Sequence, residues 1–102
     1  MIYETYAALL RMRDQTISHA IHQSRLAPID TLRGLTSDLA AYDRQVANVK
    51  TELRASNDLL DRIYVRRYLD RCTVTNISVL LNMSEATVYR HLRHIDQRAA
   101  GM

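Results

Sequence analysis

Proline occurs once in this chain, at Pro28, and glycine twice, at Gly34 and Gly101. Strands and hairpins need such residues at their turns, so a chain of 102 residues with so little punctuation reads as helix following helix. The expected fold class is all-α. Hydrophobic residues make up 47% of the chain and charged residues 25%, a balance too apolar for a chain that stays disordered. Cys72 is the single cysteine, which rules out an internal disulfide and fits a reducing compartment. The first ten residues lack a basic lead-in, and no apolar run approaches the roughly 18 residues that span a bilayer. The expected setting is the cytoplasm, with no membrane partner.

Tyr3, Tyr6, Leu10, Ile17 and Ala20 fall on one stripe of an amphipathic helix running from Tyr3 to about Arg25, with Arg13 weakening the stripe. Pro28 interrupts the pattern, because its missing N–H and fixed φ suit a helix start. Leu32, Leu35, Leu39, Tyr42, Val46, Val49 and Leu53 then alternate steps of three and four, a coiled-coil-type seam. Gly34 costs about 1 kcal/mol inside a helix, which leaves the start of this second helix open between Ile29 and Asp38, with Ser37 able to cap it. Ser56 and Asn57 end the seam and cap a third helix that carries Leu59, Leu60, Ile63, Tyr64 and Tyr68 towards Cys72, with Tyr64 and Tyr68 on the side expected to bury. Residues 1–56 are thus expected to form an antiparallel helical hairpin, and residues 57–102 a separate module. The hairpin is a scaffold, its apolar stripe filled either by its own neighbouring helix or by a second copy in a homodimer.

Residues 73–92 meet the demands of a helix-turn-helix. Thr73 caps a short first helix whose inward residues are Ile77 and Leu81, and Ser78 supplies the small side chain needed where the two helices cross. Asn82 stands where the chain must turn through a left-handed conformation, tolerated by glycine and less often by asparagine. Met83 plugs the turn. Ser84 caps the second helix, expected from about Ser84 to Arg98, in which Val88, Leu92 and Ile95 face inward.

The opposite face of that helix is left for a partner, and its charge suggests which. Residues 62–102 hold seven arginines against Asp70, Glu85 and Asp96, a net of +4, within a chain whose formal charge is +3. Arginine suits phosphates and guanine edges. In a docked helix-turn-helix the start of the second helix meets base edges while the first crosses the backbone. The base-contacting candidates are therefore Arg90 and Arg93 for guanine, Glu85 for a cytosine amino group, Ala86 or Thr87 for a thymine methyl, and Tyr89. Arg66, Arg67, Thr73, Thr75, Asn76, Ser84, His94 and Gln97 are the candidates for phosphate contacts.

Residues from about Leu59 to Ala99, above all 63–69, 77–84 and 87–92, resemble region 4 of bacterial sigma factors. They are equally similar to small phage and prophage regulators of the RinA and ArpU type. The usual pattern has alanine after the isoleucine and glycine at the turn, so Ser78 and Asn82 depart from it. The resemblance implies a sigma region 4-like module in a transcription regulator acting at a promoter and touching RNA polymerase. The small size is closer to the phage proteins.

Other chemistries find little support. His19 with His22 and His91 with His94 are pairs at helical spacing, but no second cysteine, CxxC or HExxH accompanies them, so no metal or cofactor is expected. Nucleophile-elbow glycines and a P-loop are missing, and the carboxylates read as helix-surface residues beside arginines, so no enzyme is expected. The leading reading is a sequence-specific regulator of double-stranded DNA, a homodimer with recognition helices about 34 Å apart on an inverted repeat. Two alternatives use the same residues: a phage DNA-packaging adaptor like a small terminase subunit, and a protein-interaction module that binds RNA polymerase or a repressor without touching DNA.

Overall fold

The computed structural model describes residues 1–23 and 28–100, and for residues 23, 28–32 and 35 the backbone alone. Among the described residues the chain is all-α. Its helices are α1 (Ile2–Gln23), α2 (Pro28–Ala55), α3 (Leu59–Tyr64), α4 (Val74–Leu80) and α5 (Glu85–Ala99), with a π-helical turn over Val65–Leu69. None is long and apolar enough to cross a membrane. The connection between α1 and α2 lies outside the described residues, as do the side chains of Leu32 and Leu35 on the seam.

Pro28 is the first residue of α2, which therefore begins earlier than the range left open at Ile29 to Asp38. Proline at a first helical position sacrifices no hydrogen bond, because that N–H has no intrahelical partner. Gly34 lies inside the helix, and a Cβ added there would meet nothing within 4 Å. Its cost of about 1 kcal/mol is carried by the helix as a whole.

The α1 and α2 helices make the most extensive helix–helix contact among the described elements. Arg13, the charged residue on the α1 stripe, reaches across to Asp43 on α2 at 2.8 Å. Near the other end, Tyr3 and Leu53 enter one core with Tyr6, Ile63, Tyr64, Val65, Val74, Ile77, Val88, Leu92 and Ile95. That core takes residues from every helix and from both sides of position 56. The molecule is elongated, 54 × 23 × 21 Å.

Three expectations about the third helix are corrected. Its cap is Asp58, whose carboxylate accepts the N–H groups of Leu60 and Asp61, whereas Ser56 and Asn57 precede it. Regular α-geometry ends at Tyr64, because the π-turn follows and Arg71 then adopts a left-handed φ of 56°. Tyr68 is only partly buried, 43% exposed. The wider π-turn brings the Tyr68 ring to 4.9 Å from that of Tyr64 and lets its hydroxyl donate to Asp96 on α5.

A fourth correction concerns the carboxylates. Asp61 is 1% exposed, not a surface residue. It accepts the N–H groups of Ile2 and Tyr3 and the Ser56 hydroxyl, so it caps α1 from another helix. A buried charge is tolerated when hydrogen bonds replace its water, and these three do so.

Candidate nucleic-acid interface

The α4–α5 unit is held by its two caps and the turn between them. Thr73 Oγ1 accepts the Asn76 N–H at 3.2 Å, and Ser84 Oγ accepts the Thr87 N–H at 3.2 Å while pairing with the Thr87 hydroxyl at 2.8 Å. Between them Asn82 takes a φ of 53°. The Asn82 N–H donates to the Val79 carbonyl and the Met83 N–H to the Ser78 carbonyl. These are the two bonds of a Schellman closure, with the left-handed residue where asparagine or glycine is needed. Met83 packs on the core that contains Ile77, the apolar contact that accompanies such a closure.

This turn sets α5 with Val88, Leu92 and Ile95 in the core. On the other side, Glu85, Tyr89 and Arg93 succeed one another at steps of four, with Ala86, Arg90 and Gln97 beside them. Glu85, Ala86, Tyr89, Arg90, Arg93, His94 and Gln97 are all exposed, Tyr89 to 57%, and Thr87 is half-buried at the edge. Arg90 and Arg93 carry no ion pair among the described residues, whereas Arg98 is paired with Glu4 at 3.2 Å. An unpaired arginine gives up no protein partner when it meets a phosphate or a base edge.

Several predicted residues also have work within the protein. The Thr75 hydroxyl donates to Glu85 at 2.7 Å, which ties α4 to the first turn of α5 and fixes the direction of that carboxylate. Thr73 uses its oxygen as an acceptor in capping, leaving its O–H able to donate, while the Ser84 hydroxyl is already paired with that of Thr87. Arg67 donates to the Cys72 carbonyl at 3.1 Å, closing the bend before α4. Arg66 lies 3.6 Å from Asp70. Asn76 is exposed beside the start of α4.

One surface depression adjoins α5, and a second lies further off, between the end of α2 and the π-turn. A groove of about 410 Å³ between the π-turn and α5 is lined by Arg67, Tyr68, Tyr89, Leu92, Arg93 and Asp96. It joins Tyr68 to the exposed face of α5. The Tyr68 hydroxyl is pushed up to about 12 by burial first, then by its hydrogen bond to Asp96 and the charge of that carboxylate. It therefore remains a neutral donor at physiological pH.

The second depression, a cleft of about 430 Å³, gathers Arg54, Arg62 and Arg66 around Asp70 at the end of α2. Arg54 reaches Asp70 at 3.1 Å, and Arg62 has no ion pair among the described residues. The sequence reading named Arg66 and missed Arg54 and Arg62, since only the docking of α2 against α3 brings the three together. It also missed the exposed apolar pair Val79 and Leu80 on α4, 75% and 55% accessible. Their signal was visible: they lie off the Ile77–Leu81 stripe.

Among the described residues no three His, Cys, Asp or Glu side chains converge as metal ligands. No protein-family model, curated protein or solved structure matches the chain.

Proposed function

We propose that α4, the Asn82 turn and α5 form a helix-turn-helix that binds double-stranded DNA sequence-specifically, with α5 in the major groove. The role proposed with it, on the resemblance of residues 59–99 to small phage and prophage regulators, is transcriptional regulation of that type. One observation carries this reading. The Asn82 closure turns the apolar side of α5 inward, and Arg90 and Arg93 are left exposed and without ion pairs on the outer side. Residues 62–102 add a net charge of +4, and the exposed Thr73, Thr75 and Asn76 at the start of α4 are suited to phosphates.

Selection from random duplex DNA at two salt concentrations tests the proposal. An enriched motif is expected, with log affinity falling against log salt at a slope of about −0.9 for each phosphate neutralised. The doubly substituted R90A/R93A protein should keep weak, salt-sensitive binding and lose the motif. If no duplex binds even at low salt, the proposal is wrong.

The exposed Val79 and Leu80 favour a second reading, in which α4 docks on an apolar protein surface such as that of RNA polymerase. Val79→Ser would weaken that contact without placing a negative charge one turn from Thr75 on the face proposed for phosphates, so DNA binding should be little changed.

A further inference from the structure

The core described above covers only one end of the molecule. From Ala8 to Glu52 no described side chain is fully buried, although this stretch carries the apolar stripes of both long helices. Leu39, Tyr42, Val46 and Val49 on α2, and Leu10 and Ile17 on α1, all remain half-buried. Two helices alone cannot enclose an apolar seam. Stable helical architectures cover it with a further layer, most simply as four helices.

We infer that the α1–α2 arm is completed by the arm of a second copy of this chain, giving a four-helix bundle across a twofold axis. The seat is a groove of about 410 Å³ lined by Met12, Thr16, Asp38, Ala41, Tyr42 and Gln45. Met12 is 47% exposed at its rim, an adaptable side chain for filling a facing depression, and Ala41 leaves room for one.

Two quantities point to a second copy as the occupant. The first is area. Residues 28–52 of α2 extend about 37 Å at 1.5 Å per residue, and two helices of about 10 Å diameter side by side make a layer about 20 Å wide, a face of roughly 750 Å². That is about what each partner contributes to a standard stable interface. The second is charge. Residues 8–52 hold six Lys or Arg against five Asp or Glu, a net of only +1, so two arms meet with little repulsion, in contrast to the +4 of residues 62–102. A mixed, nearly neutral face is also a poor seat for a polyanion.

The test is analytical ultracentrifugation of the full chain without DNA. A dimer of twice 11.8 kDa is expected, and M12E/A41E should weaken it by at least about 100-fold. Both side chains are exposed in the single chain, so circular dichroism should show the helicity of the double variant unchanged. Val79→Glu, on α4 and outside the arm, should leave the dimer intact. A wild-type protein that stays monomeric at about 100 μM, a larger ring, or a double variant as dimeric as wild type each overturns the inference. A monomer that still selects a DNA motif removes the arm interface and leaves the proposed function standing, and a dimer that binds no duplex does the reverse.

Discussion

The Asp61 carboxylate accepts the backbone N–H of Tyr3 at 2.9 Å, across 58 residues of chain. This bond, with those from the Ile2 N–H and the Ser56 hydroxyl, joins the first turn of the long α1 helix to the short α3 helix. It explains how six residues of α3 stay in place: the start of α1 lies over them, and Tyr3 stacks on Tyr64 at 5.5 Å.

Asp61→Ala should therefore be among the most damaging single substitutions. It strands two N–H groups of α1 and the Ser56 hydroxyl in a buried site. The expected loss is about 2–4 kcal/mol, measured by urea unfolding, with little change in m. A cost below about 1 kcal/mol would mean that water replaces the carboxylate.

Tyr3→Phe should go the other way. The Tyr3 hydroxyl is buried and has no hydrogen-bond partner among the described residues, while its ring packs in the core. Removing the oxygen keeps the packing and relieves an unmet desolvation cost, so a gain of up to about 1 kcal/mol is expected in the same unfolding experiment. A substantial loss would show that the hydroxyl has a partner in solution.

Arg71 and Asn82 share a left-handed backbone, at φ of 56° and 53°. Glycine adopts that conformation without the Cβ clash, so Arg71→Gly should stabilise by about 1 kcal/mol. Asn82→Val should destabilise by about 1–2 kcal/mol, since a β-branched side chain fits that region worst. Thermal melts of the two variants would move in opposite directions, and a common direction would count against the closure described for Asn82.

Tyr68 makes the fold sensitive to alkali. Its hydroxyl ionises near 10 when unfolded and is pushed up to about 12 in the folded chain by burial and by Asp96; burial also raises Tyr3 and Tyr64. A group raised on folding contributes fully below its unfolded value and loses that contribution as pH climbs through its folded one. The melting temperature should thus be insensitive to these tyrosines below about pH 9 and fall between about pH 10 and 12. Tyr68→Phe should make the alkaline fall shallower, and an unchanged slope would remove Tyr68 from the account.

Arg90 and Arg93 should separate affinity from specificity. Each arginine that reads a guanine contributes about 1–3 kcal/mol of discrimination, so either single alanine variant should lose 10- to 100-fold in preference at one position of the selected motif. Arg66→Ala should weaken all sequences alike and flatten the salt slope by about one unit. Loss of preference in the Arg66 variant and not in the other two would displace the reading face from α5.

The all-helical class, the caps Thr73 and Ser84, the left-handed turn at Asn82 and the inward set Val88, Leu92 and Ile95 were legible in the sequence. Each follows from local physics: a side chain and the backbone within four residues of it. Asp61, Arg13, Tyr68 and the Arg54–Arg62–Arg66 cleft were not. Asp61 and Arg13 have spacings that place them as misfits on their own helices, and their roles arise from partners 58 and 30 residues away. Periodicity reports which face of a helix is apolar, and it carries no information about which other helix, or which distant N–H, that face will meet. The sequence alone determined the helical class and the caps Thr73 and Ser84; packing of the first residues of α1 against α3 and α5 decided that Tyr3 and Tyr6 share a core with the C-terminal helices. Burial there leaves Asp61 bound to its distant donors, because water cannot reach the carboxylate to take their place.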